Sequence, residues 1–337
     1  MADNLLNLKN LEIGFTNEDG IVHAVNGASL QIDSGQSIGI VGESGCGKSV
    51  TAFSILQLLP PSGNITNGEI KYRKANGEVI DLANLDPESK EMRKIRGAEI
   101  SMVFQEPLSA FSPVHTVGNQ ISESIILHQD IRKKEAREKT IDLLNKVGIS
   151  NPSQRVDDYP FQMSGGMRQR AMIAMALACN PRLLIADEPT TALDVTIQAQ
   201  VLHLIKDLQE QMDLSMMLIT HDLGVVAHMV DYVYVMYLGQ VVEYGAVEKI
   251  YDDAKHPYTR DLMKSIPKAS GTEGKLAYIK GSVPNATNIP SGCPYHTRCN
   301  DKIGKICEEV VPDLIEVDKG CGVRCLLYNQ KDGEVNV

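Results

Sequence analysis

Tryptophan is absent from this 337-residue chain, phenylalanine occurs 5 times, and aromatic residues make up only 5% of the whole. One common anchor of recognition surfaces is therefore missing. Positive charge is also short: 33 Lys and Arg stand against 43 Asp and Glu, a net charge of −10. That balance argues against a general nucleic-acid binder, which usually carries a basic surface, although a local basic patch is compatible with it. No apolar run approaches the roughly 20 residues of a membrane-spanning helix. The longest near-continuous one is Ala171 to Cys179, so any membrane role is expected to be peripheral. The opening MADNLLNLKNLEI lacks a basic segment followed by an apolar one, so no secretory signal is expected. A reduced cytosolic setting is then the default for the cysteines. Neither an internal repeat nor a heptad run is present.

What is present is the composition of an ordinary globular protein, 43% hydrophobic and 23% charged, in a chain long enough for one large or two smaller domains. Leu5 to Phe15 and Ala24 to Ile32 read as strands, with Gly20 in the turn between them. Ser37 to Val41 is a short strand entering a glycine-rich loop, and Ser49 to Leu59 reads as a helix stopped by Pro60-Pro61. Asp86-Pro87-Glu88 has the form of a helix start, with Asp as N-cap and Pro at the first helical position. Glu99 to Phe104 reads as a strand. From about Leu108 to Met163 the pattern turns helical; in Lys133 to Val147 the residues Ile141, Leu144 and Val147 share a face, and Gly148 fits the stop. Leu183 to Ala186 and Ser215 to Thr220 are strands again, and Asp231 to Tyr244 reads as a hairpin turning near Gly239-Gln240. Strands alternating with helices imply α/β architecture with a largely parallel sheet, interrupted by an inserted helical block. After about Asp261 the character shifts: Ser270 to Gly274 is a polar linker, and five of the 7 cysteines follow between Cys293 and Cys325. A boundary is expected near residue 265.

The chemistry sits in two segments. Gly42-Glu43-Ser44-Gly45-Cys46-Gly47-Lys48-Ser49 fits G-x-x-x-x-G-K-[ST] between a strand and a helix, the setting that gives the motif its meaning. Its glycines let backbone N–H groups curl around phosphate oxygens, and the helix N-terminus adds a favourable dipole. Lys48 would pair with the β- and γ-phosphates, and Ser49 would hold Mg²⁺. The second segment runs from Met163 to Asp194: a Ser-Gly-Gly loop opens a helix, and a buried strand then delivers the adjacent carboxylates Asp187 and Glu188. Asp187 can reach Mg²⁺ through water, and Glu188 is placed to orient or deprotonate the attacking water. Gln105 and His221 each end a strand, where they could reach water, metal or a γ-phosphate oxygen. Taken alone, each is more often a solvated residue; they gain weight from order and spacing.

In this order, across about residues 5 to 260, these residues resemble the ATP-binding cassette (ABC) family. Gly42 to Ser49 resembles Walker A, Gln105 the Q-loop, Leu183 to Asp187 Walker B, Glu188 the catalytic glutamate, Thr191-Ala192-Leu193-Asp194 the D-loop and His221 the switch histidine. Ser164-Gly165-Gly166 resembles the signature loop, which in that family contacts the γ-phosphate of ATP held by the opposite subunit. Met163 and Met167 depart from the commonest signature; the first conserves volume, and the second removes an amide, so no polar contact is expected of it. Phe15 is the nearest match to the family's adenine-stacking aromatic. A finer resemblance is to the D-type ATPase subunit of oligopeptide/dipeptide importers. It rests on Ser164 to Gln200, on Phe104 to Ile121 and on His256-Pro257-Tyr258-Thr259, a tetrapeptide that alone would read only as a turn.

The resemblance implies an α/β P-loop NTPase core of the cassette type, with an antiparallel β subdomain and an inserted helical subdomain at about 108–167. Residues 1–265 would form the nucleotide-binding domain and 266–337 a small cysteine-containing C-terminal extension. It implies ATP and Mg²⁺, with Ser49, Gln105 and Asp187 at the metal, and peripheral attachment at the cytoplasmic membrane face. It further implies a second cassette subunit of F type, two permease subunits, an extracytoplasmic peptide-binding protein and no nucleic acid. Uptake of a nickel or other metal chelate, or a soluble cassette ATPase outside transport, are the alternative roles. The tail cysteines are spaced x5, x7 and x17 from Cys293 through Cys299 and Cys307 to Cys325, with Cys321 as a fifth thiol. That spacing fits neither zinc pairs nor ferredoxin patterns and leaves metal-bound and unligated thiols equally open. The resemblance implies that Cys293, Cys299, Cys307 and Cys325 can carry a [4Fe–4S] cluster.

Overall fold

The computed structural model describes residues 4–18, 20–191, 193–265, 279–328, 330–331 and 334–335. Two sheets carry the architecture. The first is antiparallel and is made of β1 (Asn4–Asn17), β2 (Gly20–Asp33), β4 (Gly63–Arg73) and β5 (Val79–Asp81), in the order β2-β1-β4-β5. The second contains β3 (Ser37–Val41), β6 (Ile100–Val103), β7 (Leu183–Asp187), β8 (Ser215–Ile219), β9 (Tyr232–Tyr237), β10 (Gln240–Ala246), β11 (Ile315–Asp318) and β12 (Cys321–Val323). Its order is β11-β12-β10-β9-β3-β8-β7-β6. The pairings β6–β7, β7–β8, β8–β3 and β3–β9 are parallel, and the remainder antiparallel.

The central strands β3, β7 and β8 are buried at every position. A parallel sheet covered on both faces needs apolar residues at successive positions, which is why SIGIV, LLIAD and SMMLI do not alternate. Alternation survives in where they point. Leu183, Ile185, Met217 and Ile219 join Leu6, Leu8, Ile13 and Tyr72 in a core shared with the antiparallel sheet. Leu184, Ala186, Met216 and Leu218 join a second core with the helices.

The helices are α1 (Lys48–Ile55), α2 (Lys90–Ile95), α3 (Pro107–Ala110), α4 (Val117–His128), α5 (Lys133–Lys146), α6 (Pro152–Arg155), α7 (Gly165–Ala176), α8 (Val195–Gln211), α9 (Leu223–Met229), α10 (Val247–Asp252), α11 (Pro257–Lys264) and α12 (Ile306–Glu309). Helices α3 to α7 lie between β6 and β7 in the chain, matching the expected insertion. Their apolar stripes, Val117, Ile121 and Ile125 on α4 and Ala136 and Leu144 on α5, enter the helical core. Val147 caps α5 and Gly148 follows at φ +75°, as the stop signal required; Ile141 packs only at the margin of the core.

Two local expectations are corrected, and one strand went unread. The helix expected at Ser49–Leu59 ends at Ile55 because Gln57 adopts φ +51°. The N–H of Leu58 then returns to the Phe53 carbonyl at 2.8 Å and that of Gln57 to Ser54 at 3.1 Å, a Schellman closure formed without glycine. Asp86 caps no helix: its carboxylate accepts from Glu88 N–H in a turn, and Ser89 caps α2 instead. Strand β4 gave no alternating signal because its register against β1 shifts between Lys9 and Glu12, displacing Ile65 from the phase of Ile70 and Tyr72.

The tail is built onto the main sheet. β12 pairs with β10 through Glu243↔Val323 and Tyr244↔Gly322, and β11 pairs with β12. Gly245 makes room for this, since a Cβ there would lie 2.9 Å from Cys321 Sγ. The polar linker expected at Ser270–Gly274 lies outside the described residues. Among the described residues no helix is long and apolar enough to cross a membrane.

Candidate active site

Strand β3 ends at Val41, and the chain turns through Gly42 (φ +153°), Gly45 (φ +79°) and Gly47 (φ +100°) into α1. Two of these glycines are required by close approach as well as by φ. A Cβ on Gly42 would lie 2.2 Å from the Met236 carbonyl oxygen, and one on Gly47 would lie 2.4 Å from that of Ala24. Ser44, Gly45, Gly47, Lys48 and Ser49 floor a cavity of about 510 Å³ whose walls include Ala24, Gln105, Glu188 and His221. That volume is within the range of a small-molecule site. Five of the residues expected in the phosphate loop and three expected from distant strand ends therefore meet in one cavity.

Lys48 is 6% exposed. Its ammonium donates to the carbonyls of Gly42 at 2.8 Å and Glu43 at 3.1 Å, so its charge is held by the loop. Ser49 Oγ donates to Asp187 Oδ1 at 3.0 Å. Burial pushes the Asp187 carboxyl up, with the Glu188 charge adding to this and Ser49 and Lys48 opposing it. A hydroxyl and a buried carboxylate facing each other beside a phosphate loop are an oxygen donor pair suited to Mg²⁺.

Glu188 has φ +43°, a left-handed conformation that costs an L-residue roughly 1–2 kcal/mol. Its N–H donates to the Ile219 carbonyl at 2.9 Å, tying the end of β7 to β8. The side chain is thereby aimed into the cavity. Thr191 Oγ1 donates to Glu188 Oε2 at 2.8 Å, Gln105 Nε2 donates to the same oxygen at 3.3 Å, and His221 Nδ1 lies 3.2 Å from Oε1. Burial works to raise this carboxyl, but Thr191 and His221 outweigh it and hold the group below the usual glutamate range. An ionised carboxylate ringed by a hydroxyl, an amide and an imidazole is equipped to accept a proton from water.

Other expected residues lie elsewhere. Ser164 caps α7, its Oγ accepting from Met167 N–H at 3.3 Å, and Ser164, Gly165 and Gly166 do not line the cavity. Met167 packs against the helical core, as its apolar side chain requires. Asp194 caps α8 through Thr196 N–H at 3.1 Å and Ile197 N–H at 3.0 Å; the neighbouring Ala192 lies outside the described residues. Phe15 is half-buried, its ring over Gly63, where a Cβ would lie 2.6 Å from it, and it is not among the cavity-lining residues. Glu43 and Cys46 belong to the loop but do not line the cavity either.

Sequence reasoning placed Thr191 in the D-loop and Tyr258 in the tetrapeptide without a role for either side chain, and did not single out Arg298 at all. The His256-Pro257-Tyr258-Thr259 tetrapeptide now has a physical meaning. His256 Nδ1 accepts from Tyr258 N–H at 3.0 Å and caps α11, Pro257 takes the first helical position, and the Tyr258 hydroxyl accepts from Glu43 N–H at 2.9 Å in the phosphate loop. His256 is 1% exposed, and burial holds its imidazole down at about 3, with the Arg260 charge acting in the same direction. Below the ordinary histidine value near 6.5 the unfolded chain binds a proton that the folded chain refuses. The stability this group lends is thus full above that value and lost as pH falls toward 3. Between pH 7 and 5 the loss is about 2 kcal/mol. His256→Asn, which retains a capping acceptor, is expected to flatten the fall in Tm across that window; an unchanged slope would refute the assignment.

Cys293, Cys299, Cys307 and Cys325 converge on one small cavity, while Cys321 lies apart against Tyr244 and Gly322. Burial pushes the Cys293 thiol up to about 11 and that of Cys325 to about 12. The space between them is about 20 Å³, room for roughly one water. Among the described residues no three metal-ligating side chains are close enough to hold an ion. The four expected thiols are together, but nothing in their arrangement as folded supports the [4Fe–4S] cluster.

Comparison with known proteins agrees with this geometry. Residues 25–191 match the ABC transporter family, and residues 242–307 match the oligopeptide/dipeptide transporter C-terminal region. The chain is similar to the oligopeptide transport ATP-binding protein AppD of Bacillus subtilis (strain 168), 48% identical over 331 residues that cover 98% of each chain. It is similar to the dipeptide transport ATP-binding protein DppD of the same organism, at 46% over 98% of this chain and 96% of that one. Among solved structures, the dimeric post-hydrolysis state of the ATP-binding cassette MJ0796 bound to ADP and Pi superposes with a TM-score of 0.63. It is 28% identical and covers 72% of this chain and 99% of its own.

Proposed function

The chain belongs to the ABC transporter ATP-binding family, and from that premise we propose that it is the D-type ATPase subunit of a peptide importer, coupling ATP hydrolysis to uptake of oligopeptides or dipeptides. The observation that carries the ATPase reading is the single cavity joining the phosphate loop to Gln105, Glu188 and His221. The peptide cargo is supported by the match of residues 242–307 and by the names of the relatives.

In this reading the loop N–H groups and Lys48 bind the ATP phosphates, Lys48 exchanging its carbonyl partners for phosphate oxygens. Ser49 and Asp187, with Gln105 nearby, would hold Mg²⁺, whose charge neutralises the phosphates. Glu188 accepts the proton of the attacking water while Thr191 and His221 keep its carboxylate oriented. Ser164, Gly165, Gly166 and Asp194 serve the nucleotide of an opposite cassette, and Phe15 remains the aromatic candidate for adenine. Residues 1–265 form the nucleotide-binding unit, with helices from about 108 to 167 as its helical part, and 266–337 the extension. The partners are a second, F-type cassette, two permease subunits and an extracytoplasmic peptide-binding protein, with this chain peripheral at the cytoplasmic face.

Affinity purification of the tagged chain from native membranes in mild detergent, with mass spectrometry of the co-purified proteins, tests the assignment. Two polytopic permeases, a second cassette and a peptide-binding protein are expected. Ribosomes, nucleic acid or an absence of membrane proteins would overturn the transport role while leaving the cassette chemistry intact.

A further inference from the structure

A partly buried ion pair links the C-terminal extension to the phosphate loop. Arg298 Nη1 donates to Glu43 Oε2 at 2.6 Å and Nη2 donates to Oε1 at 3.0 Å, a bidentate contact across 255 residues of sequence. The Arg298 side chain is 4% exposed. Its Nε donates to the Lys280 carbonyl at 3.2 Å, and its guanidinium carbon stands 5.9 Å from the centre of the Tyr237 ring. Planar, paired and stacked, the guanidinium has little freedom to move.

Glu43 is held on every polar group it has. Its N–H donates to the Tyr258 hydroxyl at 2.9 Å, and its carbonyl accepts from Lys48 at 3.1 Å. Its carboxylate is clamped by Arg298. Yet Glu43 does not line the nucleotide cavity, whereas Ser44, Gly45 and Gly47 beside it do. The loop is thus gripped from behind, on the face that nucleotide does not touch. Once Lys48 turns from the Glu43 carbonyl toward phosphate, that carbonyl keeps only the Cys46 N–H of the loop itself, at 3.3 Å, and the Arg298 and Tyr258 contacts are what still tie this end of the loop to the rest of the protein.

We propose that Arg298 is a positioning residue of the nucleotide site: through its bidentate pair with Glu43 it presets the curl of the phosphate loop, so that the C-terminal extension sets the affinity for ATP. The proposal rests on the reading of the cavity as an ATP site. Because binding linkage is reciprocal, ATP also tightens the hold of the extension.

The test is the Kd for Mg-ATP of the full-length protein, measured with the melting temperature for each variant. Arg298→Lys keeps the charge but loses the fork, and Glu43→Gln keeps the shape but loses the charge. Each is expected to weaken ATP roughly tenfold to a hundredfold, the scale of a small misplacement of binding groups. The Arg298→Gln, Glu43→Gln double variant, which pairs two neutral amides, is expected to bind better than Arg298→Gln alone. A purely structural role predicts a lower melting temperature with an unchanged Kd in the folded protein. Kd values within twofold of the parent for Arg298→Lys and Glu43→Gln would overturn the proposal and leave the ATP reading standing. A parent protein that binds no Mg-ATP would overturn both.

Discussion

Glu188→Gln is expected to lower ATP turnover by the assembled transporter about 10²–10⁴-fold, the range contributed by a positioned acid–base group, while ATP binding persists. The glutamine is close in size and can still engage Thr191 and His221, whose contacts with Glu188 at 2.8 and 3.2 Å organise this corner. What it cannot do is take a proton from water. The left-handed backbone at Glu188 survives the change, because it is fixed by the main-chain bond to Ile219 and not by the carboxylate. ATP should therefore bind and remain unhydrolysed, leaving the closed pair of cassettes trapped. Turnover and equilibrium binding, measured on the same preparation, separate the two effects; turnover equal to the parent's would remove Glu188 from the role.

Ser164→Arg should have a comparable effect by a different route. Ser164 is exposed at the start of the 12-residue helix α7, and a Cβ on the following Gly165 would meet nothing within 4 Å. An open helix N-terminus with glycines in its first turn is suited to an anion that this chain does not itself supply. Loss of the cap costs about 1 kcal/mol, too little to unfold a domain of this size. ATP binding to the isolated chain should be unchanged, because the loop lies outside its own cavity. Hydrolysis of the nucleotide held by the opposite cassette should fall roughly a hundredfold or more, as when a transition-state donor is removed. If the isolated variant lost affinity for ATP instead, the shared-site arrangement would be wrong.

Contiguous features were legible in the sequence. The phosphate loop, the apolar strand ending in Asp187-Glu188 and the stop at Gly148 are each written within a few residues. Their meaning depends only on backbone sterics and burial. The meeting of Gln105, Glu188 and His221 was legible only through their order along the chain. What could not be read depends on distant partners. Strand β4 was hidden by a bulge, and the end of α1 by a glutamine in a glycine conformation. The tetrapeptide at His256 gave no hint that its tyrosine supports a loop 215 residues away. That the Phe15 ring lies over Gly63 was likewise invisible in the sequence, because the contact comes from strand β4. The cysteine spacing, ambiguous in one dimension, becomes a single pocket for four of the five tail thiols in three.

The pairing of β12 with β10 also bears on how far this molecule can be shortened. Removing the last strands to obtain a minimal cassette would bare the backbone of β10 at Val242, Glu243 and Tyr244 along one margin of the main sheet. Unpaired N–H and C=O groups in a row are a template for strands of other molecules. A chain cut after α11 would thus present an adhesive border, and its self-association would follow from sheet geometry before any loss of catalytic groups.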